Sequence, residues 1–557
     1  MKRLVLFLLA LSVAFAGIAQ NWEWAKGTHG NGSEGYYCSS DRWGNVYGLG
    51  HFFGPLYVEQ DTIVHPNGSA FVLIKYNNAG NYCWARTNSY GAAIEMGFTT
   101  DPFGNIYVLG GYDSTTTIGT YTLTNSNLKP WQYFIAKYDS AGNVLWAKNL
   151  GNAKAHNPYG SITTSYTGEV YVTGTFSNNP TLGPNTLTNV DQTDSTDDIF
   201  VSRLDSSGNV IWAKSYGSNG SDIPMDLAVT LTHQVYICGN FTSDSLAFGT
   251  TVLYDTGSKH YDHAIYLCKL DSAGNALWAN GAGGGSQYEN AYGLVTDSLG
   301  EVYMTGWVYQ DSLQFDTCYI TPWEGGAYAY LVKYSPAGTL LWGRKVQGHV
   351  VKAWSLDIDP CNNVWMSGSM DNDIVDTIDG HIINPPPGSR DAMYIAGWDA
   401  NGNYISSVAL ASGGDDYNGI AADGLGNINL FGDYEVDTFI VGNTWLLRGN
   451  ATENIFTAKY NPGLNCSLAE KVSQQTPACD LKIYPNPATS TITIQYNKPI
   501  QNTTASIYDI TGRLMGSYLL TGSNTTISVQ NLPPGIYQCR IMDVQHNVVT
   551  KKIVVMR

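Results

Sequence analysis

Five acidic residues, Glu34, Glu95, Asp222, Glu289 and Asp416, stand in Gly-rich stretches at roughly equivalent places along the chain, with Asn157 and Lys352 in the two remaining places. Carboxylates gathered on one rim would hold a cation such as calcium, or an amine. The competing reading is that each accepts hydrogen bonds from its own glycine loop. No D-x-D-x-D-G run is present, so the metal stays unassigned, calcium is the one cation carried forward, and no cofactor is expected. Trp131, Trp323 and Trp445 lie in long variable connections, where a flat ring either stacks on a sugar or packs its loop. The chain contains no G-x-S-x-G, no H-E-x-x-H and no spaced Cys/His set. A carboxylate pair for glycoside cleavage could be drawn from any of 46 acids, so no catalytic residue is assigned.

The elements that must position these residues are written as a repeat. "KYDSAGNVLWAK" at Lys137 returns as "RLDSSGNVIWAK" at Arg203 and "KLDSAGNALWAN" at Lys269, with further copies at Lys75, Lys333, Gly397 and Lys459, spaced by 62 to 66 residues. A second motif runs in step, as in "FGNIYVLG" at Phe103 and "LGEVYMTG" at Leu299. The period of about 64 residues yields seven units of four short strands. Asp caps the D-S-x-G-N turn, and Gly or Asn takes its positive φ. Val210 and Trp212 alternate with Ile211 and Ala213, so both faces of this strand are apolar, as a neighbour on each side requires. The spacing therefore predicts an all-β, seven-bladed β-propeller over 20–465, with the variable connections and their ligand on one face and the tight turns on the other. "NWEWAKG" at Asn21 is a motif tail without its head, while "FTAKYNPGLN" at Phe456 is a head that departs before its Trp. Pairing of Trp22 to Lys26 with Phe456 to Tyr460 would close the ring; an open solenoid is the alternative.

These G-N-V-Y-V-x-G and K-Y-D-x-x-G-x-x-x-W signatures resemble those of secreted bacterial SBBP-like seven-bladed propellers, a likeness that speaks for fold and little for function. The sixth copy, "GWDANGNYISSV", lacks the Lys and the Trp.

After a polar connector at 466–480, the segment 481–557 alternates apolar residues with period two and reads as about seven short strands, a small Ig-like β-sandwich. It resembles the type A C-terminal sorting domain of the type IX secretion system of Bacteroidota. The matching residues are Pro485, Asn486 and Pro487 in "YPNP", Gly512 in "YDITGR", Gly535 and Tyr537 in "LPPGIY", and Lys551 and Lys552 in the basic end. The resemblance implies Sec export, type IX passage across the outer membrane, and release or attachment at the cell surface.

Charge and ends agree with an exported protein. Residues 480–557 hold seven Lys/Arg against three Asp/Glu, whereas the central region carries −23, which disfavours nucleic acid and anionic lipid. Two basic residues, an apolar run from Leu4 to Phe15 and small residues at Gly17 and Ala19 read as a signal peptide over 1–19. No later run is long enough to cross a membrane. Nine cysteines make disulfides available; Cys466 and Cys479 could close the connector, and Cys238 and Cys268 fall on neighbouring strands. The functional expectation is a surface or secreted scaffold that binds glycan or protein, with the type IX machinery as its export partner. A surface hydrolase or lyase at the channel mouth, and a passive structural protein, are the alternatives.

Overall fold

The computed structural model describes residues 22–464 and 482–556, apart from 67, 92, 126–130, 192, 194, 256–263, 284–288, 310–311, 317, 322–325, 349, 372–375, 384–390, 415–416, 487, 496–503, 510–513, 521, 523, 531, 534 and 543–547. The leader 1–19, Cys466, Cys479, Trp323, Asp416, Pro487 and Gly512 lie outside the described residues. Among the described residues all regular structure is β and no helix occurs. The chain divides into two units, Met1–Ala469 and Glu470–Arg557.

In the first unit the repeats form small antiparallel sheets of four strands, of which Gly160–Thr164, Val170–Phe176, Asp198–Leu204 and Val210–Tyr216 are an example. The second strand is buried at every residue, because its alternating sides both carry apolar groups. The outer strand departs from expectation: Ala213 is buried but Ile211 is 45% exposed, and Leu145, Leu277 and Leu341 are exposed likewise. A neighbour covers only part of this edge strand. Each first strand lies beside the first strand of the next repeat, and Gly419–Ala422 lies beside Ser33–Ser40.

The repeated twelve residues join one sheet to the next. Asp205 Oδ1 accepts the backbone N–H of Ser207 and of Asn209, both at 2.9 Å, and holds the turn. Gly208 there has φ +80° and faces the Trp146 ring of the preceding repeat, so a side chain fits neither the backbone nor the space. Lys75 Nζ and Trp84 Nε1 both donate to the Ser140 carbonyl of the next repeat, at 2.7 and 3.3 Å. Lys269 and Trp278 do the same to Pro336, and Lys333 and Trp342 to Ala400. Lys and Trp recur together because they share one acceptor.

The chain ends supply the missing copy. Trp22–Gly27 pairs antiparallel with Asn454–Tyr460, setting Trp24 opposite Lys459 as Trp84 stands opposite Lys75. Trp24 Nε1 then donates to the Asn78 carbonyl at 3.0 Å, and Lys459 Nζ reaches Asn78 Oδ1 at 2.6 Å. This is the pairing that the two incomplete motifs predict.

The variable connections between second and third strands carry short hairpins that fold along the preceding repeat. Asp376–Ile378 pairs with the outer strand Leu340–Gln347, and Ala247 bridges to Gly217.

The Gly ending the second motif has a steric cause. At Gly306 an added Cβ would lie 1.8 Å from the Asn290 carbonyl oxygen of the adjoining strand. Gly306→Ala is expected to destabilise the first unit by about 2–4 kcal/mol in urea unfolding. Gly97→Ala, where nothing lies nearer than 3.6 Å, should cost less than about 1 kcal/mol.

Cys238 and Cys268 are buried free thiols, so the neighbouring strands are not bridged there. Cys361 is disulfide-bonded.

The second unit holds a three-stranded sheet, Lys482–Tyr484, Thr491–Gln495 and Asn524–Ser528, and a four-stranded one, Leu514–Leu519, Thr504–Asp509, Gly535–Met542 and Val548–Val555. They share a core that includes Ile492, Ile494, Ile507, Ile541 and Ile553. Asn486 Oδ1 accepts the Val554 N–H at 2.8 Å, docking the segment after Pro485 on the last strand. Gly535 opens the strand on which Tyr537 is buried, with its hydroxyl donating to Pro533. Lys551 is exposed, and Lys552 pairs opposite Gln538.

Candidate functional site

The first strands of the repeats surround a cavity of about 980 Å³. Register irregularities decide which side chains enter it. A one-residue bulge leaves Tyr36, Met96, Met225, Tyr292 and Trp354 without a cross-strand partner in five of these strands. A bulge re-aims the extra side chain, and all five residues line the cavity.

Three of them join an aromatic group with Tyr417, whose ring lies 4.2 Å from Trp354, centroid to centroid. Tyr292 meets Trp354 edge-on at 5.0 Å, and Tyr36 meets Tyr417 at 6.4 Å. Tyr417 is 46% exposed, leaving ring surface open to a ligand.

Carboxylates lie beside these rings. Glu34 accepts the Tyr36 hydroxyl, and Glu95 Oε2 is 3.2 Å from His51 Nδ1, whose Nε2 is 2.6 Å from Ser69 Oγ. Burial pushes the Glu34 carboxyl above its ordinary value; the charge of His51 opposes this and that of Glu95 adds to it. Burial alone would lower His51, but the Glu95 hydrogen bond and the charges of Glu95 and Glu34 outweigh it, so the imidazole is raised. Asp226 also lines the cavity, pushed up to about 6 by burial. It accepts from Ser161 Oγ at 2.7 Å and from the Leu294 N–H at 2.8 Å, tying its own first strand to those on either side. Asp357, likewise pushed up to about 6, accepts the Ala422 N–H at 2.8 Å.

The structure divides the acids singled out by spacing. Glu34 and Glu95 line the cavity, while Asp222 and Glu289 are buried and do not. Asp222 accepts the Ser218 hydroxyl at 2.9 and 2.7 Å, and burial raises its carboxyl well above the ordinary value. Glu34 stands two residues before the bulged position and Glu95 one, whereas Asp222 and Glu289 stand three before it. The places judged equivalent are thus out of step, and no full ring of carboxylates forms among the described residues. Lys352 lies instead over the rings of Trp307 and Trp354, at 5.3 and 5.7 Å. Among the described residues no group of three His, Cys, Asp or Glu is placed to hold a metal ion.

The tryptophans are not gathered either. Trp131 is half-buried at the start of Trp131–Tyr138, and Trp445 is 69% exposed on the hairpin Thr438–Val441/Thr444–Leu447; neither lines the cavity. Three of the aromatic residues that do line it carry a different signal, a small residue followed by a ring near the start of a strand: Gly35–Tyr36, Ala291–Tyr292 and Ala353–Trp354.

Over 367 residues the chain is 25% identical to an uncharacterized WD repeat-containing protein of Acanthamoeba polyphaga mimivirus, an alignment covering 53% of this chain and 26% of that one. The chain therefore spans about a quarter of the length of the curated relative it matches. Among solved structures, a fungal alcohol oxidase of the AA5 family in complex with copper is 14% identical with a TM-score of 0.36, covering 97% of this chain and 100% of that one. PorZ, a bacterial surface component of the type IX secretion system of Porphyromonas gingivalis, is 8% identical with a TM-score of 0.15, covering 96% and 100%. Residues 482–556 match the family described as the secretion system C-terminal sorting domain, and the protein is one secreted through the type IX system to the cell surface.

Proposed function

We propose that this exported protein is a scaffold that binds glycan at the cavity mouth. In this reading residues 22–464 are a closed seven-bladed propeller of the SBBP-like class, and the C-terminal unit is an Ig-like sandwich read by the type IX machinery. The clasp of Trp24 and Lys459 on the first repeat and the adjacency of Gly419–Ala422 to Ser33–Ser40 support closure. The observation that carries the binding reading is the group of Tyr36, Tyr292, Trp354 and Tyr417 beside Glu34 and Glu95 in one cavity. Aromatic rings present flat apolar faces for sugar rings, and carboxylates accept hydroxyl hydrogen bonds.

A surface hydrolase or lyase at the same mouth is the second reading. It is favoured by Glu34, raised and bonded to Tyr36, beside a His51–Glu95 pair, an acid–base set in reach of one ligand.

The test is a glycan array probed with the purified chain, followed by titration of the best ligand. Tyr417→Ala is expected to weaken binding about 3–10-fold, the worth of one stacked ring. Trp445→Ala should leave it unchanged. Loss of binding on Trp445→Ala alone would move the site to the outer hairpin, and cleavage of the bound glycan would favour the enzyme.

A further inference from the structure

We propose that the cavity mouth selects a cationic glycan, an amino sugar with a free ammonium, over its neutral or anionic counterparts; this deepens the glycan-binding reading and rests on it. Carboxylates outnumber basic groups on the cavity wall. Glu34, Glu95, Asp226 and Asp357 line it, His51 is their one basic companion, and among the described lining residues there is no Lys or Arg.

Asp226 and Asp357 are engaged with backbone N–H groups of neighbouring strands, whereas Glu34 and Glu95 each hold a side chain through Oε2, the Tyr36 hydroxyl and His51, and are the carboxylates a ligand can engage through the other oxygen. They stand beside Tyr36 and Tyr417, and an ammonium between rings and carboxylates gains cation–π attraction together with a charge-assisted hydrogen bond. The neighbourhood already shows the preference: Lys352 Nζ rests over Trp307 and Trp354. Lys352 itself is not among the lining residues, and among the described residues no cation lies over the rings of Tyr36 or Tyr417. N-acetylation would remove the charge and leave the sugar ring, while a uronate would face four carboxylates of its own sign.

Titration of the full chain with glucosamine tetrasaccharide, its N-acetylated form, a galacturonate tetrasaccharide and tetramethylammonium separates these terms. The amino sugar is expected to bind about tenfold or more tightly than the acetylated form. Glu34→Gln with Glu95→Gln should erase that preference while the Trp fluorescence of the folded chain stays unchanged. Equal or tighter binding of the acetylated or uronate oligomer would overturn the charge selection and leave glycan binding standing. Binding of tetramethylammonium with none of the sugars would support a cation site and overturn the glycan reading. No binding to any of the four would overturn both.

Discussion

Removal of residues 22–27 is expected to destabilise the first unit by about 5 kcal/mol, combining roughly 1 kcal/mol for each lost ladder hydrogen bond with exposure of the apolar surface that Trp22 and Trp24 cover. The strand Trp22–Gly27 is paired with Asn454–Tyr460 from Trp22 opposite Tyr460 to Gly27 opposite Phe456. Its loss also removes the Trp24 bond to Asn78 and the contact of Trp22 with Tyr460, whose ring centroids are 5.2 Å apart. A long edge with buried Ile455, Phe456 and Ala458 is then uncovered, and such edges recruit other chains. All fifteen Trp precede residue 446, so Trp fluorescence reports this unit alone. The shortened chain should show a lower urea midpoint and elute as oligomers. An unchanged midpoint with monomeric elution would mean that the ends do not hold the repeats together.

Lys459→Met is expected to cost about 3–5 kcal/mol, because it removes one partner of a buried ion pair. Lys459 Nζ and Asp423 Oδ2 are 2.9 Å apart, and both side chains are fully buried. The same ammonium donates to the Gly44 carbonyl at 2.9 Å and to Asn78 Oδ1 at 2.6 Å, so one side chain spans the last repeat and the first. Without it the Asp423 carboxylate keeps, among the described residues, the local donors Leu425 N–H, Asn427 N–H and Asn427 Nδ2. Lys75→Met is a lesser change: its acceptor, the Ser140 carbonyl, still receives Trp84, and the loss should be about 1 kcal/mol. Adding Asp423→Asn to Lys459→Met should recover part of the stability. Equal unfolding midpoints for Lys459→Met and Lys75→Met would show that the closing repeat is held no differently from the others.

The repeat lattice was legible in the sequence because it is local chemistry copied at a fixed period. Asp, Gly and Asn build the turn, and Lys and Trp reach one carbonyl in the next repeat, so an intact copy shows the whole device. The split motif at Trp22 and Phe456 showed the pairing of the chain ends for the same reason. The mouth was only half legible. Glu34 and Glu95 were found by place, but Asp222 and Glu289 fell out of step because bulges, not spacing, decide which residues turn inward. Tyr36, Tyr292 and Trp354 are themselves bulged residues and have no fixed partner in the repeat. The hairpins of the variable connections lie against a neighbouring outer strand, as Asp376–Ile378 does against Leu340–Gln347, a placement that their variation in sequence does not show. Trp445 rides on such a hairpin and so points to the periphery rather than the cavity.

Hydrogen-exchange footprinting of the full chain with its best array glycan locates the binding site. Binding at the mouth predicts slowed exchange in Ser33–Ser40, Ile94–Thr100, Glu289–Thr296 and Val351–Ile358, with no change in Thr444–Leu447. Protection confined to Thr444–Leu447 and the other outer hairpins, with the strands around the cavity unchanged, would contradict it.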